Sequence, residues 1–225
     1  MTILLVRQYS HGYDNVEPID LGESFEICDL CGLDEARNYL LELGYDFNVK
    51  NAYFANRAVK FLPNPNYKLK VYLDASIKIT NKEAFIKLVD SFKYVDSDLV
   101  FCRHPHRKTV QEEIKACYRL SKITNKQYKK LMSNVNIFSN DQILTQNGAN
   151  FSRHTVETKA WAEKLLDFLK NNEIKRDQIN LPIFLQANHS PKINLIDWPS
   201  FLTVKRHKST FLQALQKKYN FMVRR

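Results

Sequence analysis

The sequence predicts an α/β domain with a mostly parallel sheet flanked by helices. Two observations carry that expectation: apolar runs of strand length alternate with segments of helical period, and three of those runs empty into polar clusters. At 225 residues the chain suits one domain over 1–225, and with 5 glycines and 7 prolines it has little material for long linkers.

Residues 3–6 (ILLV) read as a buried strand and 25–28 as a second, short one. Residues 33–43 have helical period, with Gly44 placed as a C-cap. KLKVYL continues the β pattern through 71–73. Thr80 and Glu83 have capping-box spacing before a helix with Phe85, Leu88, Val89 and Phe92 on one face. Residues 99–102 form another buried strand. Thr109 and Glu112 repeat the capping-box spacing, opening a helix with Val110, Ile114 and Cys117 inward. A longer helix is expected over 156–169, striped by Trp161, Leu165, Phe168 and Leu169.

Ligands of such sheets bind beyond the carboxyl ends of the strands. ILLV runs into RQYSHGYD, VYL into DAS, and LVFC into RHPHR. Three polar exits on one edge predict a site there, and Asp74, directly after VYL, is its leading carboxylate. Asp74-Ala75-Ser76 is a degenerate Asp-x-Asp. One carboxylate at a strand end suffices to hold a hard divalent cation whose other positions go to water and phosphate. Arg57, Lys60, Arg103 and Arg107 flank the edge as phosphate partners. Tyr9, Tyr13 and Asp14 follow the first strand, where a base and ribose would stack and hydrogen-bond. Asp177, between Arg176 and Gln178, is either a helix cap paired with Arg176 or a carboxylate that orients or deprotonates an acceptor hydroxyl. Glu113 competes for that role, and Glu112 is accounted for by capping. His104 and His106, in HPH, read as loop residues, and none of the six histidines pairs at the i, i+4 spacing of a helical metal site. Cys28 and Cys31 make a lone CxxC; with Cys102 and Cys117 they read as free thiols.

The net charge of +10 is uneven. Residues 1–102 carry −4, residues 103–130 carry +7, and residues 192–225 again carry +7. Two basic segments on a neutral-to-acidic body point to an anionic ligand or surface.

Taken in order, GYD (12–14), NRAVKFLP (56–63), VYLDASI (71–77), CRHPHRKTVQEE (102–113), NGANFSRH (147–154), Trp161 and RDQINLP (176–182) resemble the small GT-A-type glycosyltransferase-like domains of bacteria, plants and large viruses, including the chlorella-virus capsid-glycosylating enzymes. The resemblance spans most of the chain. It implies a GT-A (Rossmann-like) fold, a nucleotide-sugar donor of the UDP type, a glycan or glycoprotein acceptor, and Mn2+ or Mg2+. It also implies metal contact at Asp74, with Ser76 in place of the usual second acid and His207 (His189 in reserve) completing the shell. Donor contacts would come from Tyr9, Tyr13, Asp14, Arg57, Lys60, Asp74, Ala75, Ser76, His104 and Gln178, with Asp177 as the catalytic carboxylate.

Two rival readings remain: a catalytically inactive GT-A-like scaffold, favoured by the missing second acid, and a basic nucleic-acid-binding module. Residues 103–130 offer just Tyr118 and Tyr128 as stacking platforms, so nucleic acid is not the expected partner. The apolar run at the N-terminus is too short for a signal sequence or membrane span. A cytoplasmic location is therefore expected (host cytoplasm for a viral chain), with peripheral membrane contact left open.

Overall fold

The computed structural model describes residues 2–9, 17–45, 52–134, 144–188 and 191–204. The chain runs β1 (Ile3–Tyr9), β2 (Phe25–Cys31), α1 (Gly32–Glu42), α2 (Ala52–Phe61), β3 (Leu69–Asp74), β4 (Ile77–Ile79), α3 (Lys82–Ser91), β5 (Leu99–Arg103), α4 (Val110–Arg119), α5 (Asn125–Ser133), β6 (Thr145–Arg153), α6 (Val156–Asn171), α7 (Asp177–Ala187), β7 (Ile193–Ile196) and β8 (Leu202–Val204).

Six strands form one sheet in the order β2-β1-β3-β6-β5-β7, and β4 pairs with β8 in a separate ribbon. The pairs β1/β2, β1/β3 and β5/β7 are parallel, whereas β6 is antiparallel to both its neighbours. The α/β class with a mostly parallel sheet therefore holds. β6 was not legible in the sequence because TQNGANFSR lacks the apolar run of a buried strand.

Strand alternation divides the core in two. Leu4, Val6, Tyr72 and Phe101 face α1, α2, α6 and α7, packing against Leu40, Val59, Trp161, Leu165 and Phe184. Ile3, Leu5, Val71 and Leu73 face the opposite way, onto Phe85 and Val89 of α3 and Leu202 of β8. A third cluster joins α4, α5 and α7 through Val110, Ile114, Cys117, Leu131 and Ile179.

The helix ends follow local chemistry. Gly44, at φ +78°, stops α1: its N–H donates to Leu41 O and that of Tyr45 to Leu40 O. Thr109 and Glu112 form the expected capping box. The box expected from Thr80 and Glu83 does not form; Asn81 caps α3 by accepting from Ala84 N, and Thr80 Oγ1 donates to Phe201 O. An amide oxygen one residue later reaches the first turn, while its bonds to Phe201 O hold Thr80 outside it.

Candidate functional site

The three polar exits meet. β1 and β3 are parallel, and β3 and β5 are both antiparallel to β6, so the carboxyl ends of β1, β3 and β5 share one edge. The start of β6 arrives at the same edge, and its register against β5 slips between Phe101, opposite Asn150, and Cys102, opposite Gln146. This bulge sets Gly148 against Asp74. A Cβ on Gly148 would stand 3.1 Å from Asp74 Oδ2 and 2.8 Å from Ile77 Cδ1. Glycine is needed there for space, since its φ is not in the left-handed region.

Asp74 heads a polar network that crosses to α2 and α7. Tyr72 donates its hydroxyl to Asp74 Oδ1 at 2.8 Å, and Lys60 Nζ lies 3.3 Å from the same oxygen. Lys60 also donates to Asp177 Oδ2 at 3.2 Å, and Arg57 to Asp177 Oδ1 at 3.1 Å. Arg57 is held by Asn56 Oδ1 at 2.6 Å and stacks over the Tyr53 ring, 4.1 Å from its centroid. Asn56 in turn donates to Gln8 Oε1 at 2.9 Å. Residues from β1, α2, β3 and α7 are thus joined by side chains at one sheet edge.

The electrostatics are balanced internally. Burial by itself would raise the Asp177 carboxyl, but the charges of Lys60 and Arg57 overturn that and hold it well below the usual carboxylate range. Lys60 is buried, with a side chain 4% exposed, whereas the Asp74 side chain is 36% exposed. Asp74 is therefore the carboxylate of this network that is open to solvent, and Lys60 lies behind it.

α2 itself is anchored by a buried lysine. Lys70 of β3, fully buried, donates to Val59 O at 2.8 Å, to Lys60 O at 3.1 Å and to Leu62 O, closing the orphan carbonyls at the end of the helix. Burial pushes its ammonium down to about 7.

The other expected residues fall as follows. Asp177 does not cap α7: Arg176 occupies the N-cap without a side-chain cap bond, and Asp177 opens the first turn, turned to Lys60 and Arg57. Gln178 bonds Gln146 of β6, tying α7 to the bulged strand. Tyr9 ends β1 at the edge. Ala75 and Ser76 form the turn after β3, and Ala75 borders a cavity of about 160 Å³ lined also by Arg7, Leu73, Ile77 and Lys78. His104 lies in the HPHR turn: its Nδ1 accepts from His106 N and Arg107 N, and its Nε2 faces Arg107 Nη2 at 2.5 Å. Its Nδ1 is thus engaged within the HPHR turn. Glu113 is buried against Arg107 Nε at 2.5 Å and accepts from Cys117 Sγ at 3.1 Å, so it is no free base. Tyr13, Asp14, His189 and His207 lie outside the described residues. All four cysteines are free, and burial pushes Cys28 and Cys117 up to about 11 and Cys102 to about 12. They are packing thiols.

Gln8, Asn56, Tyr72, Gln146 and Gly148 were not singled out by sequence reasoning. Their signal was polar or small residues inside strand and helix segments, which patterning treats as noise.

At this edge Asp74 is the residue that would hold a divalent ion. Among the described residues no group of three or more His, Cys, Asp or Glu converges on a metal position. Asp74 Oδ1 is taken by Tyr72 and Lys60, so Oδ2, beside Gly148, remains as a ligand. One carboxylate oxygen suits Mg2+ or Mn2+ bound mainly through substrate phosphates and water.

No family model matches the sequence, and no curated protein matches it. Among solved structures, the chain is similar to 4-diphosphocytidyl-2C-methyl-D-erythritol synthase from Anaerococcus prevotii DSM 20548, at 12% identity over 98% of this chain and 96% of that chain, with a TM-score of 0.47. It is similar to the bifunctional glycosyltransferase WbbM in its apo form, at 12% identity over 87% of this chain and 38% of that one, TM-score 0.49. Mouse xyloside xylosyltransferase 1 in its apo form is similar at 9% identity over 88% of this chain and 86% of that chain, TM-score 0.45. All three are likenesses of overall shape.

Proposed function

We propose that this chain transfers a sugar from a nucleotide-sugar donor, of the UDP type, to a hydroxyl of a glycan or glycoprotein acceptor, with Mn2+ or Mg2+ bound between Asp74 and the diphosphate. The observation that supports this most is the placement of Asp74, half-exposed at the shared carboxyl edge of three strands and tied through buried Lys60 to Asp177. The ordered motifs resembling GT-A-type domains support it independently.

When bound, the metal would offset the charge gathering on the diphosphate as its bond to the sugar breaks. The chain's own residues prepare that edge. Tyr72 and Lys60 fix the Asp74 carboxylate so that one oxygen points to the ligand. Arg57 and Lys60 keep Asp177 ionised. A carboxylate held so far below its usual range is a weak base, so Asp177 serves as the brace that positions Arg57 and Lys60, not as a proton acceptor. Gly148 leaves the space that a donor phosphate needs beside Asp74.

The test is thermal stabilisation by a panel of nucleotide sugars with and without Mn2+, followed by donor hydrolysis and transfer assays. A ligand at a hundred times its Kd stabilises the native state by about 2.7 kcal/mol, so a true donor stands apart. If no nucleotide sugar stabilises the protein in either condition, the reading fails. Metal-dependent binding without any turnover would instead make the chain an inactive GT-A-like scaffold.

A further inference from the structure

The helical hairpin of α4 and α5 carries unbalanced positive charge. α4 packs against α5, and Tyr118 and Tyr128 stack across the pair with ring centroids 4.3 Å apart. Residues 103–134 contain two acids, and both are engaged away from the hairpin's apex. Glu112 accepts from Lys108 N at 2.7 Å in the capping box that opens α4, and Glu113 is 2% exposed and paired with Arg107. Glu173, just past α6, is taken by Lys130 at 3.1 Å. Lys115, Arg119, Lys122, Lys126 and Lys129 are exposed, and among the described residues no ion pair joins any of them to an acid.

The backbone fixes how the chain turns between the two helices. Ser121, at φ +56°, takes the left-handed conformation. Its N–H donates to Tyr118 O at 3.0 Å and that of Lys122 to Cys117 O at 2.8 Å, which closes the end of α4. Thr124 then opens α5 in a capping box with Gln127. Leu120 stands at this apex, 56% exposed, with Arg119 before it and Lys122 two residues after it.

That combination discriminates between anionic partners. A bilayer of acidic lipid attracts the cations through its surface potential and takes an apolar side chain into its headgroup boundary. Nucleic acid would attract the same cations, but it needs open aromatic faces on which bases stack. Tyr118 and Tyr128 are half-buried and each spends a ring face on the other, so the hairpin offers bases no such platform.

We propose that the apex of the α4–α5 hairpin docks on an anionic lipid bilayer. Leu120 enters the headgroup boundary, and Arg119, Lys122 and Lys126 lie against acidic headgroups. The inference does not rest on the sugar-transfer reading.

The test is sedimentation of the full chain with vesicles of phosphatidylcholine, alone or mixed with phosphatidylserine, over a range of salt. We expect binding to the acidic vesicles only, weakening as salt rises. The triple variant Arg119→Gln, Lys122→Gln, Lys126→Gln should lose about fivefold per cation, and so about a hundredfold in all. Leu120→Ser should weaken binding severalfold with its salt dependence unchanged. As a control for net charge, Lys217→Gln, Lys218→Gln, Arg224→Gln removes three cations elsewhere and should have a far smaller effect. Melting temperatures equal to that of the wild type show that each variant is folded. Equal binding to both kinds of vesicle, wild-type binding by the triple variant or by Leu120→Ser, or an equal loss in the control would overturn the proposal. Binding of a single-stranded oligonucleotide that the triple variant loses, with no binding to vesicles, would also overturn it and assign the hairpin to nucleic acid. A protein that binds no nucleotide sugar can still pass this test, so the two readings fail separately.

Discussion

Lys60 Nζ lies 3.2 Å from Asp177 Oδ2, although 117 residues separate the two in sequence. The same ammonium lies 3.3 Å from Asp74 Oδ1, so one buried charge joins the strand-end carboxylate to the start of α7. Both ends of the Lys60–Asp177 pair are buried, which shields it from salt. Removing one partner of such a pair leaves an uncompensated buried charge. Lys60→Met should therefore cost about 3 kcal/mol in urea unfolding, the low end for a buried pair because Arg57 remains. A loss under about 1 kcal/mol would show that Lys60 is not the main counter-ion.

Asp177 gives the protein a specific acid sensitivity. Its carboxyl has an ordinary value of 3.8 and is depressed in the folded chain. The unfolded state therefore binds the proton first, and the stability this group provides is present above about pH 3.8 and lost as pH falls through the folded value. Asp177→Asn should flatten the wild-type fall in stability between about pH 5 and pH 2. An unchanged acid limb would mean that other carboxylates govern acid unfolding.

Lys70 adds a slope of the same sign in alkali. Its ammonium sits at about 7 when folded against an ordinary 10.5. Across that window the unfolded state holds a proton that the folded state has released, so stability rises with pH, by at most about 1.4 kcal/mol per pH unit. Lys70→Met should remove this rise and lower stability throughout, because carbonyls at the end of α2 lose the donor that Lys70 supplies, three N–H groups when charged and two when neutral. Urea midpoints at several pH values between 7 and 10 decide the matter; parallel curves for the two proteins would refute it.

Gly148→Ala separates space from stability. Its methyl group would press on the Asp74 carboxylate and on the tip of Ile77. The Ile77 methyl can shift, whereas Asp74 is held by Tyr72 and Lys60. Donor affinity should fall tenfold or more while melting temperature changes by no more than about 4 °C, a destabilisation of roughly 1 kcal/mol or less. Unaltered affinity would place the donor away from Asp74.

Metal dependence is the sharpest check on Asp74. Chelation with EDTA should abolish donor binding in the wild type, and Asp74→Asn should abolish the Mn2+ effect while leaving the fold intact, since its side chain is 36% exposed. Full turnover in EDTA would shift charge compensation to Arg57 and Lys60 alone.

The sequence by itself determined the elements that depend on neighbours in the chain. Apolar runs marked β1, β3 and β5; Gly44 and the Thr109–Glu112 box marked helix ends; and the polar exits after the three strands fall on one shared edge. Each of these is a short-range physical effect, set within one turn of helix or one strand. The tertiary structure decided the rest. β6, polar along much of its length, is a strand because its neighbours β3 and β5 supply the ladder and the burial. Lys60, Asp177 and Asp74 come from three elements, and a sequence gives no distance between elements. So Asp177 reads in sequence as a cap or as a carboxylate that orients or deprotonates an acceptor hydroxyl, and Lys60 as a phosphate partner. Packing α2 and α7 over one sheet edge removed both from water, and in that low-dielectric setting opposite charges pair with each other before they meet a ligand.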